Sequence, residues 1–137
     1  MSESHLTYLR DDVHERITVT ITGPARLADL ESVVERQAAD GTWRYGVLYD
    51  ECLGTASLSV NATRALVAVV DRMTRAHGPR GPVAIVCAVV EQFGMARMYS
   101  ILGDQQGRVS NVFHDVAAAQ AWLDDHKGHK GSDRLRT

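Results

Sequence analysis

Between Arg16 and Thr22 the chain reads Arg-Ile-Thr-Val-Thr-Ile-Thr, with an apolar side chain at every second position. A period of two in β-branched residues predicts a half-buried strand with Ile17, Val19 and Ile21 facing a core. Residues 6–10 carry a weaker strand pattern. The polar run Asp11-Asp12-Val13-His14-Glu15 between them predicts a turn, so the two strands pair as an antiparallel hairpin. After Gly23-Pro24 the period changes. Leu27, Leu30, Val33, Val34 and Ala38 fall at helical spacing, with Asp29, Glu31, Glu35 and Arg36 on the other side, and Gly41 ends this first helix.

Residues 43–50, centred on Tyr45-Gly46-Val47-Leu48-Tyr49, predict a buried strand, and 51–57 a loop after it. Ser59 or Asn61 caps a second helix running to about His77, with Ala62, Leu66, Val69, Val70 and Met73 as its inward stripe. Two prolines and two glycines make 78–82 a loop. Residues 83–87 form a short, continuously apolar strand, as a covered parallel sheet requires. A third helix covers roughly 90–104, with Met95, Met98, Tyr99 and Leu102 at i, i+3, i+4 and i+7. A final strand follows over 108–114. Asp115 then caps a last helix bearing Val116, Ala119, Gln120 and Leu123, with Trp122 on its flank. Residues 127–137 have no apolar period and are expected to be a frayed tail on a single domain of residues 1–126. The order β-β-α-β-α-β-α-β-α predicts an α/β fold. Its five-stranded sheet is mixed but mostly parallel, it carries four main helices, and the first strand is attached antiparallel at an edge.

Charge and composition narrow the function. Fifteen Lys and Arg against seventeen Asp and Glu leave a formal charge of -2, so no strong basic field draws nucleic acid or an anionic membrane. No apolar run approaches the roughly 18 residues of a membrane span, and Met1–Arg16 lacks the apolar stretch of a signal peptide. A cytoplasmic location is therefore expected, with Cys52 and Cys87 as free thiols.

Four blocks carry a resemblance: Trp43-Arg44-Tyr45-Gly46-Val47-Leu48-Tyr49-Asp50, Arg80-Gly81-Pro82-Val83-Ala84-Ile85-Val86, Phe93-Gly94-Met95-Ala96-Arg97-Met98-Tyr99, and Val112-Phe113-His114-Asp115-Val116 leading to Ala121-Trp122-Leu123. In order and spacing they resemble the SpoIIAA-like (STAS/SEC14-type) family of small bacterial domains over roughly residues 5–125. The resemblance implies a sequential β-α superhelix with helices mainly on one side of the sheet. It also implies similarity to anti-sigma-factor antagonists and, more distantly, to CRAL-TRIO lipid-transfer domains. In the antagonists a Ser or Thr near the start of the helix after the second core strand is phosphorylated, switching a protein partner. The corresponding region here, Asp50 to Thr63, offers Thr55, Ser57, Ser59 and Thr63. It departs from the antagonists' Asp-Ser-Ser/Thr-Gly pattern, because Glu51-Cys52-Leu53-Gly54 follows Asp50.

The segment after Asp50 lies at the carboxyl end of a parallel strand, where open α/β sheets place their sites. Asp50, Glu51, Cys52, Ser57 and Ser59 are therefore candidates for a partner or ligand surface; the competing reading is a capping serine beside solvated acids. The acids beside Cys52 raise its thiol pKa and oppose nucleophilic use, so no catalytic constellation is expected. His126 and His129 have no matching Cys or acid, and the Gly-Pro loop matches no nucleotide signature, so neither metal nor cofactor is expected. The third helix is apolar nearly all round, through Phe93, Met95, Ala96, Met98, Tyr99, Ile101 and Leu102. Either it is deeply buried or it offers a Met-rich contact surface, with Arg97 and Tyr99 as candidate contacts. If helices cover one side of the sheet, Thr18, Thr20, Thr22, Leu48, Ala84, Val86 and Val112 make an open second face. Such a face suits homodimerisation or an apolar ligand. Three functions follow: a regulatory domain for a protein partner or second subunit, an apolar-ligand or lipid binder, and an enzyme using Cys52 or Asp50-Glu51.

Overall fold

A computed structural model describes residues 5–104 and 109–126. Strand β1 (Leu6–Asp11) and strand β2 (Arg16–Pro24) form the expected antiparallel hairpin, with Leu6 opposite Ile21 and Asp11 opposite Arg16. Asp11 Oδ1 accepts from the backbone N–H groups of Val13 and His14, which fixes the turn. Helix α1 (Leu27–Ala39), strand β3 (Gly46–Ala56), helix α2 (Val60–His77) and strand β4 (Val83–Val86) follow. Helix α3 (Val90–Asp104), strand β5 (Ser110–Phe113) and helix α4 (Val116–His126) complete the described elements, and the tail expected over 127–137 lies outside the described residues. The sheet order is β1-β2-β3-β4-β5, and every pair after the hairpin is parallel.

Two expectations about β3 are corrected. Residues 43–45 are a turn rather than strand, and 51–56 are strand rather than loop. The extension pairs Leu53 with Thr22, Gly54 with Gly23 and Ala56 with Pro24. A bulge makes this possible, because Glu51 and Cys52 together stand opposite the single residue Ile21.

The sheet is covered on both sides. Ile17, Val19, Ile21, Val47, Tyr49, Val83, Ile85 and Cys87 meet the apolar stripes of α1, α2 and α3 in the main core. Leu48, Ala84 and Val86 meet Ala119 and Leu123 of α4 in a second core. The open apolar face expected for the second side is thus corrected: its middle lies under α4, and Val112, opposite Ile85, belongs to the main core. Outside α4 that side shows the half-buried Thr18, Thr20 and Thr22.

At the amino ends of the parallel strands Arg80 is buried without a carboxylate. Its Nε donates to Gln37 Oε1 at 2.8 Å, and its two terminal nitrogens to the hydroxyls of Tyr49 at 3.1 Å and Tyr99 at 3.4 Å. The guanidinium also lies 5.3 Å from the Trp43 ring centroid. Gln37 in turn donates to the carbonyls of Thr42, Trp43 and Tyr45, so one amide holds the 42–45 turn. Gly81 has no room for a side chain: a Cβ would sit 2.3 Å from the Tyr45 carbonyl oxygen.

Candidate functional site

The carboxyl ends of the strands bring together most of the residues singled out in the sequence. Asp50 lies on the α4 side of β3, and its Oδ1 accepts from the Cys52 N–H at 3.0 Å. Glu51, turned to the helix side, is largely buried; that burial, with Asp50 adjacent, pushes its carboxyl up to about 7. Cys52 packs against the second core, and burial together with Asp50 pushes its thiol up to about 11. Cys87, in the main core, is pushed up to about 12, first by burial and then by Glu51 and Cys52. Neither thiol is a thiolate near neutral pH, in line with the effect expected of acids beside Cys52.

Gln92, near the start of α3, clamps this region. Its amide nitrogen donates to the carbonyls of Glu51 (2.9 Å) and Gly54 (3.0 Å). Its oxygen accepts from the N–H groups of Ala88 (3.0 Å) and Val89 (3.4 Å). A single buried amide thus ties the β4–α3 corner to the strand extension. Sequence reasoning passed over Gln92; a lone amide at the head of an apolar helix was the available signal.

Ser59 caps α2, its Oγ accepting from the Ala62 N–H at 3.1 Å, which settles the choice between Ser59 and Asn61. Ser59 is exposed. Thr63 is buried and donates its hydroxyl to the Ser59 carbonyl. The Ser57 Oγ is buried with no hydrogen-bond partner among the described residues. Arg97, by contrast, is exposed on α3 with its guanidinium 5.7 Å from the Phe93 ring centroid, while His114 stacks on that same ring at 4.5 Å. Tyr99 is buried, its hydroxyl accepting from Arg80, so it is part of the core rather than of an exposed surface.

Glu51, Ser57, Tyr49, Tyr99, Met95 and Ile85 help line a cleft between the sheet and the helical layer. The cleft measures about 50 Å³. An apolar cavity of about 150 Å³ is needed to take a benzene, and ligand pockets run to several hundred. Room for a lipid is not present here. Outside the cleft the same end of the sheet exposes apolar side chains: Leu53 is 68 % exposed, Val60 45 %, Val89 50 % and Val90 84 %. Among the described residues, no group of three His, Cys, Asp or Glu side chains could hold a metal ion. No described helix is long and apolar enough to cross a membrane.

Comparison with solved structures bears on the fold. The chain superposes on an anti-sigma factor antagonist from Mycobacterium paratuberculosis with a TM-score of 0.55 at 13 % identity, covering 89 % of this chain and 97 % of that one. It superposes on the anti-sigma factor antagonist SpoIIAA in its unphosphorylated form with a TM-score of 0.52 at 12 % identity, covering 96 % and 97 %. A DUF3478-family protein with a SpoIIAA-like fold from Shewanella loihica PV-4 gives 0.55 at 17 % identity, covering 90 % and 98 %. No family model and no curated protein matches the sequence. The expected fold therefore stands: the chain has the SpoIIAA-like α/β fold.

Proposed function

We propose that this SpoIIAA-like domain is a non-enzymatic regulatory module of STAS type that binds a protein partner at the carboxyl-end rim of its parallel strands. The observation that carries the reading is the exposed apolar rim of Leu53, Val60, Val89 and Val90, set around the Ser59-capped start of α2. Four apolar side chains exposed around one end of the sheet are the kind of surface that a protein partner covers. The rim is held in shape by the Gln92 clamp, so it is a preformed surface rather than a loose loop. The raised thiols of Cys52 and Cys87 speak against nucleophilic chemistry at the same place. Two of the solved neighbours are anti-sigma factor antagonists, which makes an anti-sigma factor the first partner class to try.

Of the four hydroxyls between Asp50 and Thr63, Thr55 and Ser59 are exposed, and Ser59 is the one at the head of a helix. It is exposed, and a phosphoryl group there would face the free N–H groups of the first turn of α2. Thr63 and the Ser57 Oγ are buried and are poorer targets.

The test compares the unaltered chain with a Leu53→Asp/Val90→Asp double variant in parallel affinity purifications from the source organism, followed by titration of each candidate anti-sigma factor. A partner that binds the unaltered chain and is lost by a variant of equal thermal stability is the expected result. A partner retained equally by both would place the interface elsewhere. A co-purifying small molecule and no protein would replace this reading with the apolar-ligand one.

A further inference from the structure

Helix α2 lies in the middle of the three-helix layer, packed between α1 and α3, so its outer face is the crest of that layer. At 100° per residue, positions 61, 64, 68, 72 and 75 fall within an arc of about 80° on that face. They are Asn61, Arg64, Ala68, Arg72 and Arg75, and all five are exposed. Among the described residues no salt bridge joins Arg64, Arg72 or Arg75 to a carboxylate. Asp71 is the one acid of α2 and is half-buried on the flank of the stripe.

Helix stability does not account for this pattern. The macrodipole favours cations in the last turn, which suits Arg75, and acids in the first turn, where α2 has none. Arg64 stands in the second turn, nearer the positive end of the helix, where a cation gains nothing. Nor do the three arginines cover apolar surface: the side chains between them on the arc are Asn61 and Ala68.

We infer that this stripe is a docking surface for an acidic protein segment, separate from the apolar rim and independent of it. The charge complement fixes the class of partner. Three guanidinium forks spread along about 16 Å of helix match carboxylates presented along one side of a helix or extended segment. The small Ala68 at the centre lets a backbone approach closely. Nucleic acid and anionic membranes fit less well. Both need a broad basic field, and this chain carries a net charge of -2 with its positive stripe confined to one helix face.

The test measures binding of an oligoglutamate peptide to the full chain by fluorescence anisotropy at low and high salt. A single-stranded oligonucleotide and phosphatidylserine-containing vesicles serve as rival probes. Arg64→Gln/Arg72→Gln/Arg75→Gln is compared with Arg10→Gln/Arg26→Gln/Arg44→Gln, which removes the same charge from exposed arginines elsewhere. The expected result is a loss of affinity for the peptide of about tenfold in the stripe variant alone at low salt, with binding by all three proteins abolished at high salt. Equal losses in the two variants would reduce the effect to net charge and overturn the inference. Tighter binding of the oligonucleotide or the vesicles, lost in the stripe variant, would also overturn it. Because all six positions are exposed, both variants should melt within a degree or two of the unaltered chain.

Discussion

At the amino ends of the parallel strands the sheet buries a guanidinium; at their carboxyl ends it half-buries a carboxyl group. The two are treated in opposite ways. Arg80 is surrounded by acceptors, with Gln37, Tyr49 and Tyr99 taking its N–H groups and Trp43 beneath the charge. Glu51 sits beside another acid, and its carboxyl is raised to about 7 by burial first and Asp50 second. Ser57, on the same cleft, has no partner for its hydroxyl among the described residues. Buried hydroxyls without a partner among the described residues occur at both ends, Tyr8 and Thr74 at the amino end and Ser57 at the carboxyl end, so the ends differ in how they treat charge rather than in how completely their polar groups are paired. That asymmetry is expected where a surface must remain available to bind something.

The largest effect should come from the amino end. Arg80→Met leaves Gln37 Oε1 without its donor and removes the ring contact, and should cost about 3 kcal/mol in urea unfolding. A loss under about 1 kcal/mol would mean that the amino end is no better optimised than the other.

Glu51→Gln should act in the opposite direction. The folded carboxyl titrates at about 7, above its ordinary 4.5, so the fold prefers the protonated form. Its contribution is therefore intact below about pH 4.5 and lost as pH rises through 7. The glutamine variant should be more stable by on the order of 2–3 kcal/mol at pH 8 and unchanged at pH 4. Equal stability at both pH values would show that the carboxylate is well solvated.

The smallest effects separate the two serines. Ser59→Ala removes the cap of α2 and should cost about 1 kcal/mol, whereas Ser57→Ala should be neutral or stabilising by a few tenths. If Ser57→Ala costs as much as Ser59→Ala, its hydroxyl has a partner after all.

Most of the element order was legible because the period of two in 16–22 and the stripes of α1 and α2 state both the element and its buried face. The strand extension over 51–56 was not. Its partners are the backbone groups of Thr22, Gly23 and Pro24, reached through a bulge, and backbone pairing leaves no side-chain period in Gly54-Thr55-Ala56. The side taken by α4 was hidden for a topological reason. A helix between two parallel strands is held to one side by the handedness of the crossover, but among the described residues α4 leads into no further strand, so the order of elements does not decide where it packs. The candidate site was half legible. The rule that sites lie at strand carboxyl ends found Asp50 to Ser59, yet Tyr99 belongs to the core and Gln92 was overlooked. The Arg80 centre left one trace in the sequence: Gln37 continues the inward stripe Leu30-Val33-Val34 of α1, and a polar residue on a buried stripe needs a buried partner.

Because strand order in space repeats strand order in the chain, each new strand finds its neighbour already laid down by the segment just before it. Every pairing closes over a single hairpin or one β-α unit, so contacts stay local for a parallel sheet and the entropy lost in each closure is modest. A chain of this kind can assemble from its amino end as it leaves the ribosome, one strand at a time. Until β5 and α4 arrive, the growing edge and the apolar underside of β3 and β4 stay open, so the interval before α4 emerges is the one of greatest exposure to aggregation.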